Sequence, residues 1–110
     1  MRIKRGVLLD QTSPPILYAL GVAEAVYHCH GHKMVVTSLL DGTHGEHSLH
    51  YSGRAADLRT RNMPISAIVI IRRALVSLLN PLGYDVVLES DHLHLEFDPK
   101  AQETWVSEVD

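Results

Sequence analysis

The run HLHLEF, residues 92–97, alternates polar and apolar side chains without a break. Successive side chains of a β-strand point to opposite faces, so a period of two predicts a strand rather than a helix. His92, His94 and Glu96 would share one face, and Leu93, Leu95 and Phe97 the other. Such a strand needs an apolar layer against one side only. Just upstream, YDVVLES reads as a second strand, paired to the first through a tight connection near Ser90 and Asp91. Taken alone, the two histidines satisfy an ordinary exposed sheet face.

Two helices are predicted to supply the apolar layer. In TSPPILYALGVAEAVYHCHG, Ser13 is placed to cap, Pro14 and Pro15 suit the first turn, and Gly31 ends the helix. Ile16, Leu20, Ala23 and Tyr27 fall on one face at helical spacing. In PISAIVIIRRALVSLLNPLG, the core stripe is Ile68, Ile71, Leu75, Leu78 and Leu79, with Arg72 and Arg73 turned outward and NPLG as the stop. KMVVTSLL reads as a strand, RGVLLD as a short strand or extended lead-in, and DGTHGEHS as a loop broken by Gly42 and Gly45. The order of elements favours an α+β fold: a small antiparallel sheet with two main helices. The 110 residues suit one domain, with 100–110 an acidic tail anchored by Trp105.

Composition narrows the function classes. A net charge of -3 gives no basic field for nucleic acid. The single Cys29 excludes an internal disulfide framework and a cysteine-rich zinc site. No membrane span is expected, because Arg72 and Arg73 interrupt the longest apolar run. No signal peptide is expected in MRIKRGVLLDQTSPP, because Asp10 follows GVLL so closely. The chain is therefore expected to be cytoplasmic at synthesis. There are 8 histidines. His28, His30 and His32 at a helix C-terminus suit the helix dipole.

The stretch EHSLHYSGRAADLRTR, residues 46–61, has no clear helical or strand period and reads as irregular. Within it Ser48, His50, Gly53, Ala55 and Asp57 form S-x-H-x-x-G-x-A-x-D. A turn explains Gly53, but a loop does not require a histidine and an aspartate with small residues between them. A metal site does: imidazole and carboxylate are good zinc ligands, and small residues let the backbone pass close to the ion.

This pattern resembles that of the zinc D,D-carboxypeptidase and L-alanyl-D-glutamate endopeptidase family. That family includes the vancomycin-resistance D,D-peptidases, phage endolysin domains and the related zinc fold of hedgehog signalling domains. All the fixed positions of the first motif match. The family's second motif, a carboxylate followed three residues later by a histidine on a strand, is similar to Asp91-His92-Leu93-His94-Leu95-Glu96-Phe97. The likeness runs from about Lys33 to Pro99. It implies a hedgehog/D,D-peptidase-like fold in which His50, Asp57 and His94 hold Zn²⁺ and water takes the fourth position. Asp91 would be the general base, Ser48 would border the substrate, and His92 would be a supporting group or transition-state donor. Glu89 and His92 fit the same carboxylate-x-x-histidine spacing one register earlier, so the register stays open.

Relatives carry an arginine shortly after the TS strand. TSLLDGTHGEHS has none, which leaves Arg54, Arg59 or His47 as candidates for that role. The activity implied is hydrolysis of a peptidoglycan stem-peptide bond, D-Ala-D-Ala or L-Ala-D-Glu. Stem peptides would be the partner, reached after release to the cell wall as a phage or bacterial lytic protein. The alternative is a zinc-bearing binding module of the same fold with little or no turnover.

Overall fold

Residues 1–7, 12–39 and 54–98 are described by the structure, a computed structural model. Five strands and two helices follow in the order β1 (Arg2–Ile3), α1 (Pro14–Cys29), β2 (Val35–Ser38), β3 (Ala55–Arg59), α2 (Ile65–Leu79), β4 (Tyr84–Leu88) and β5 (His92–Phe97). The fold is α+β, as expected. A 3₁₀ turn at Asn80–Leu82 carries α2 into β4, and Gly83 closes it at φ 96, a left-handed conformation that glycine adopts without a side-chain clash.

The sheet runs β1-β2-β3-β5-β4. An antiparallel sheet was the expectation, but this sheet is mixed. β1 lies parallel to β2, with the N–H of Arg2 donating to the Met34 carbonyl at 2.8 Å and that of Lys4 to the Val36 carbonyl at 2.9 Å. Parallel neighbours need a long crossover, and α1 lies within it. The strand anticipated within RGVLLD falls earlier, at Arg2–Ile3; residues 8–10 lie outside the described part.

The larger correction is β3. Ala55–Arg59, read as irregular, is a strand flanked by β2 and β5. Alanine on both faces hides the alternation, because alanine has a weak strand preference and marks neither inside nor outside. Leu58 alone declares the buried face.

α1 begins at two prolines, whose fixed φ suits a first turn that lacks N–H partners. Ser13 occupies the cap position, yet its side chain makes no capping hydrogen bond. The other end is a full glycine stop. Gly31, at φ 76, donates to His28 and His32 donates back to Tyr27, satisfying carbonyls that the helix leaves open. Ile16, Leu20, Ala23 and Tyr27 are all buried, as their spacing predicts.

In α2 the buried stripe is Ile68, Ile71, Leu75 and Leu79. Leu78 does not belong to it: it is 52% exposed, because one residue along a helix rotates the side chain about 100° away from Leu79. Arg72 and Arg73 are exposed, as expected. Counted through Leu82, the segment is long and apolar enough to cross a membrane, at 18 residues and a mean hydropathy of 1.6. The two arginines thus exclude less than expected.

Both helices contribute to one core with Val36, Leu58, Leu93, Leu95 and Val86 from the sheet. Leu58, Leu93 and Leu95 are fully buried, each worth roughly 1.5–3 kcal/mol relative to exposure. These leucines alternate with Asp57, His92 and His94. The apolar face of β3 and β5 therefore fixes the position of the polar groups on the other face.

Candidate metal centre

β3 and β5 pair antiparallel, with Asp57 opposite His94, Arg59 opposite His92 and Ala55 opposite Glu96. β4 adds Asp85 opposite Glu96 and Val87 opposite His94. The period of two puts these residues on the sheet face away from the helices. A register shift in β2 between Val36 and Ser38 bends the neighbouring strand beside Asp57. There the Thr37 hydroxyl donates to the Asp57 carbonyl at 3.4 Å.

Asp57 is the hub. Its Oδ1 lies 2.8 Å from Nδ1 of His94 and 3.6 Å from Nε2 of His92. The other ring nitrogen of each histidine also faces a carboxylate. His94 Nε2 is 2.7 Å from Oε1 of Glu96, and His92 Nδ1 is 2.7 Å from Oδ1 of Asp91. The side chains of Asp57, His94, His92 and Glu96 are 16%, 19%, 26% and 27% exposed, whereas Asp91 is 73% exposed. The four converging side chains are partly buried, with Asp91 exposed at their edge.

The β4–β5 hairpin sets that edge. The Glu89 N–H donates to the His92 carbonyl at 2.9 Å, and the Thr60 N–H donates to the Asp91 carbonyl at 3.1 Å, tying the turn to the end of β3. A second turn leads from β3 to α2. Its Met63 N–H donates to the Thr60 carbonyl at 3.1 Å, and Asn62 sits at φ 73, where asparagine is among the tolerated residues.

The hydrogen bond that His94 donates to the Asp57 carboxylate raises the His94 pKa above its ordinary 6.5; burial opposes this, and the Glu96 carboxylate adds to it. In metal-free protein this stability is fully present below about pH 6.5 and is lost as pH rises through the higher folded value. With chelator present, the urea midpoint should therefore fall more steeply as pH rises above 6.5 for the wild type than for His94→Gln. Equal slopes would show that the contacts do not couple to stability. The hydrogen bond to His92 holds the Asp91 carboxyl below its usual range, so it is ionised at neutral pH.

One nitrogen or oxygen from each of Asp57, His92 and His94 lies within 4.8 Å of the others. A tetrahedral ion with bonds of about 2.0–2.1 Å needs ligand atoms roughly 3.3 Å apart, which small side-chain rotations here would supply. Two imidazoles and a carboxylate suit zinc and other borderline metals; they are a poor match for calcium or magnesium. These three residues are thus positioned to bind a metal ion.

Four of the anticipated residues come together: Asp57, His94, His92 and Asp91. Ser48, His50 and His47 lie outside the described residues, and Arg59, opposite His92, shares the Asp57 face of β3. Arg54 goes elsewhere: its guanidinium lies 5.6 Å from the centre of the Phe97 ring, on the core side of β5. Two features were under-read. His92, expected only as a supporting group or transition-state donor, shares the His94 face and is positioned with Asp57 and His94 to bind a metal ion. Glu96 received no role, although it sits two residues from His94 on that same face. Compared with known proteins, the chain matches no family model and no curated protein.

Proposed function

We propose that the protein is a zinc-dependent peptidase that hydrolyses a peptidoglycan stem-peptide bond. The observation that carries this is the convergence of Asp57 and His94 from two separate motifs into one contact of 2.8 Å. The motif resemblance pairs these same two residues as ligands. Asp57 and His94 would hold the ion with His50, as the resemblance implies, or with His92, which the geometry favours among the described residues. Bound there, Zn²⁺ supplies the polarisation of a scissile carbonyl and the acidification of a water at neutral pH.

The protein's own groups do the rest. Asp91, ionised at the edge, would accept a proton from the attacking water and deliver it to the leaving amine nitrogen once its side chain turns from Nδ1 of His92, its contact here, toward Asp57 and His94. The leucine-backed sheet keeps Asp57 and His94 from drifting apart. The open face around Asp91 and Val87, which is 43% exposed, admits an extended peptide.

A second reading, a zinc-bearing module without turnover, draws support from the arginine. The segment where relatives carry one has none, and Arg54 is engaged with Phe97, which leaves Arg59, opposite His92 on the Asp57 face, as the described candidate for that role. Digestion of purified peptidoglycan, with zinc and with chelator, separates the two. The peptidase reading expects new amino termini of one defined type, lost with chelator and restored by zinc. Folded, zinc-loaded protein that releases no peptide would leave the binding module standing.

A further inference from the structure

We propose that Glu96 is a positioning residue for the metal centre: it takes the Nε2–H of His94 and so leaves Nδ1, the nitrogen on the Asp57 side, to ligate. This rests on the metal-site reading of the same residues. A neutral imidazole carries its proton on one nitrogen and a lone pair on the other, and only the lone pair can ligate a metal. An ionised carboxylate only accepts. Both ring nitrogens face a carboxylate, Nε2 at 2.7 Å from Oε1 of Glu96 and Nδ1 at 2.8 Å from Oδ1 of Asp57, so these contacts alone leave the tautomer open. Asp57 is itself a candidate ligand, and once it turns to the ion Glu96 is the acceptor that remains for a ring N–H. Nδ1, at 2.8 Å from Asp57, is thereby assigned to the metal side. Carboxylates that grip the outer nitrogen of a ligating histidine fix its ring orientation and raise its basicity.

The surroundings argue that Glu96 is not merely a surface polar residue. Its cross-strand neighbour on β4 is Asp85, another acid, and like charges directly opposite in a sheet are unfavourable. Asp98 lies close enough to complete an acidic trio with them. The Asp85 carboxyl is raised by burial first and then by repulsion from Glu96 and Asp98. A glutamate at this position therefore costs the sheet, and its contact with His94 is the compensation visible in the structure. On its other side the cross-strand partner is Ala55, small enough to leave the carboxylate unobstructed.

The test is zinc affinity, measured by competition with a chromophoric chelator, for wild type, Glu96→Ala, Glu96→Gln and Asp85→Asn. Long-range proton–nitrogen spectra of the zinc-loaded, histidine-labelled protein report which ring nitrogen of His94 carries the proton. Glu96→Ala should bind zinc about 10- to 100-fold more weakly. Glu96→Gln, whose amide oxygen still accepts, should recover most of that loss. Asp85→Asn, a change within the Asp85, Glu96 and Asp98 group that could itself hold an ion, should bind like wild type; a loss equal to that of Glu96→Ala would put the ion on those acids and overturn the inference. The spectra should show protonated Nε2 and ligated Nδ1. Wild-type affinity in Glu96→Ala, a Gln variant as weak as the Ala variant, or ligation through Nε2 would each overturn the inference alone. A wild type that takes up no zinc would overturn the parent reading and this one together. Zinc uptake without peptide hydrolysis would sink only the peptidase assignment, because affinity and spectra still decide the role of Glu96.

Discussion

Zinc should raise the melting temperature of the wild-type protein by roughly 10–20 °C, and Asp57→Ala should abolish that rise. A ligand that binds only the folded state at about 100 times its dissociation constant stabilises by about 2.7 kcal/mol. For a domain near this size each kcal/mol is worth about 4–8 °C. Asp57 is the residue to remove because both histidines converge on it, His94 at 2.8 Å and His92 at 3.6 Å. Losing an outer partner of a ligand costs about 10- to 100-fold in metal affinity, and losing the shared ligand should cost more. Asp57→Asn keeps the volume but not the charge, and it too should lose most of the shift. A full zinc shift in both variants would mean that the ion sits elsewhere. No shift in wild type, with metal analysis showing no bound zinc, would remove the metal centre from the account.

How much of this was legible beforehand depends on where the information lay. The strand β5 was plain, because six residues alternate strictly and each leucine is fully committed to the core. The helices were plain for the same reason at a different period, with prolines and glycines marking their ends. Apolar composition places Leu78 in the core stripe, but its turn about the helix axis leaves it exposed. β1 could not have been seen: two residues carry no periodicity, and the strand exists only through its pairing with β2.

The site followed a different logic. Asp57 and His94 are separated by 37 positions, and nothing local says that they face each other. The register of β3 on β5 creates their contact, and that register is set by Leu58 meeting Leu93 on the opposite face. Motif resemblance named the two residues, while their adjacency needed the sheet. The strand that delivers Asp57 is hidden by its two alanines, one on each face, of which Ala56 belongs to the core. His92 and Glu96 were visible as companions of His94 on one face, and same-face spacing was the signal that could have given them roles. The arginine question has become more pointed, since Arg54 is directed to the core side by its position beside Phe97.

Asp91→Asn should lower hydrolysis of stem peptides by about 10²- to 10⁴-fold, the range for a lost general acid–base group, while leaving zinc affinity unchanged. The choice of asparagine matters. Asp91 is in contact with His92 at 2.7 Å, so alanine would remove two functions at once: a base, and a partner that orients a candidate ligand. Asparagine keeps an acceptor for the His92 N–H and removes only the basicity. If His92 ligates, Asp91→Ala should show a second effect, a zinc affinity about 10- to 100-fold weaker, that Asp91→Asn does not. If His50 fills that place, the two variants should bind zinc alike. The contact with His92 also sets the size of the kinetic effect. It lowers the Asp91 pKa below its usual range and so weakens the group as a base. The loss on substitution should therefore fall toward the lower end of the range. Full turnover in Asp91→Asn would exclude Asp91 as the base.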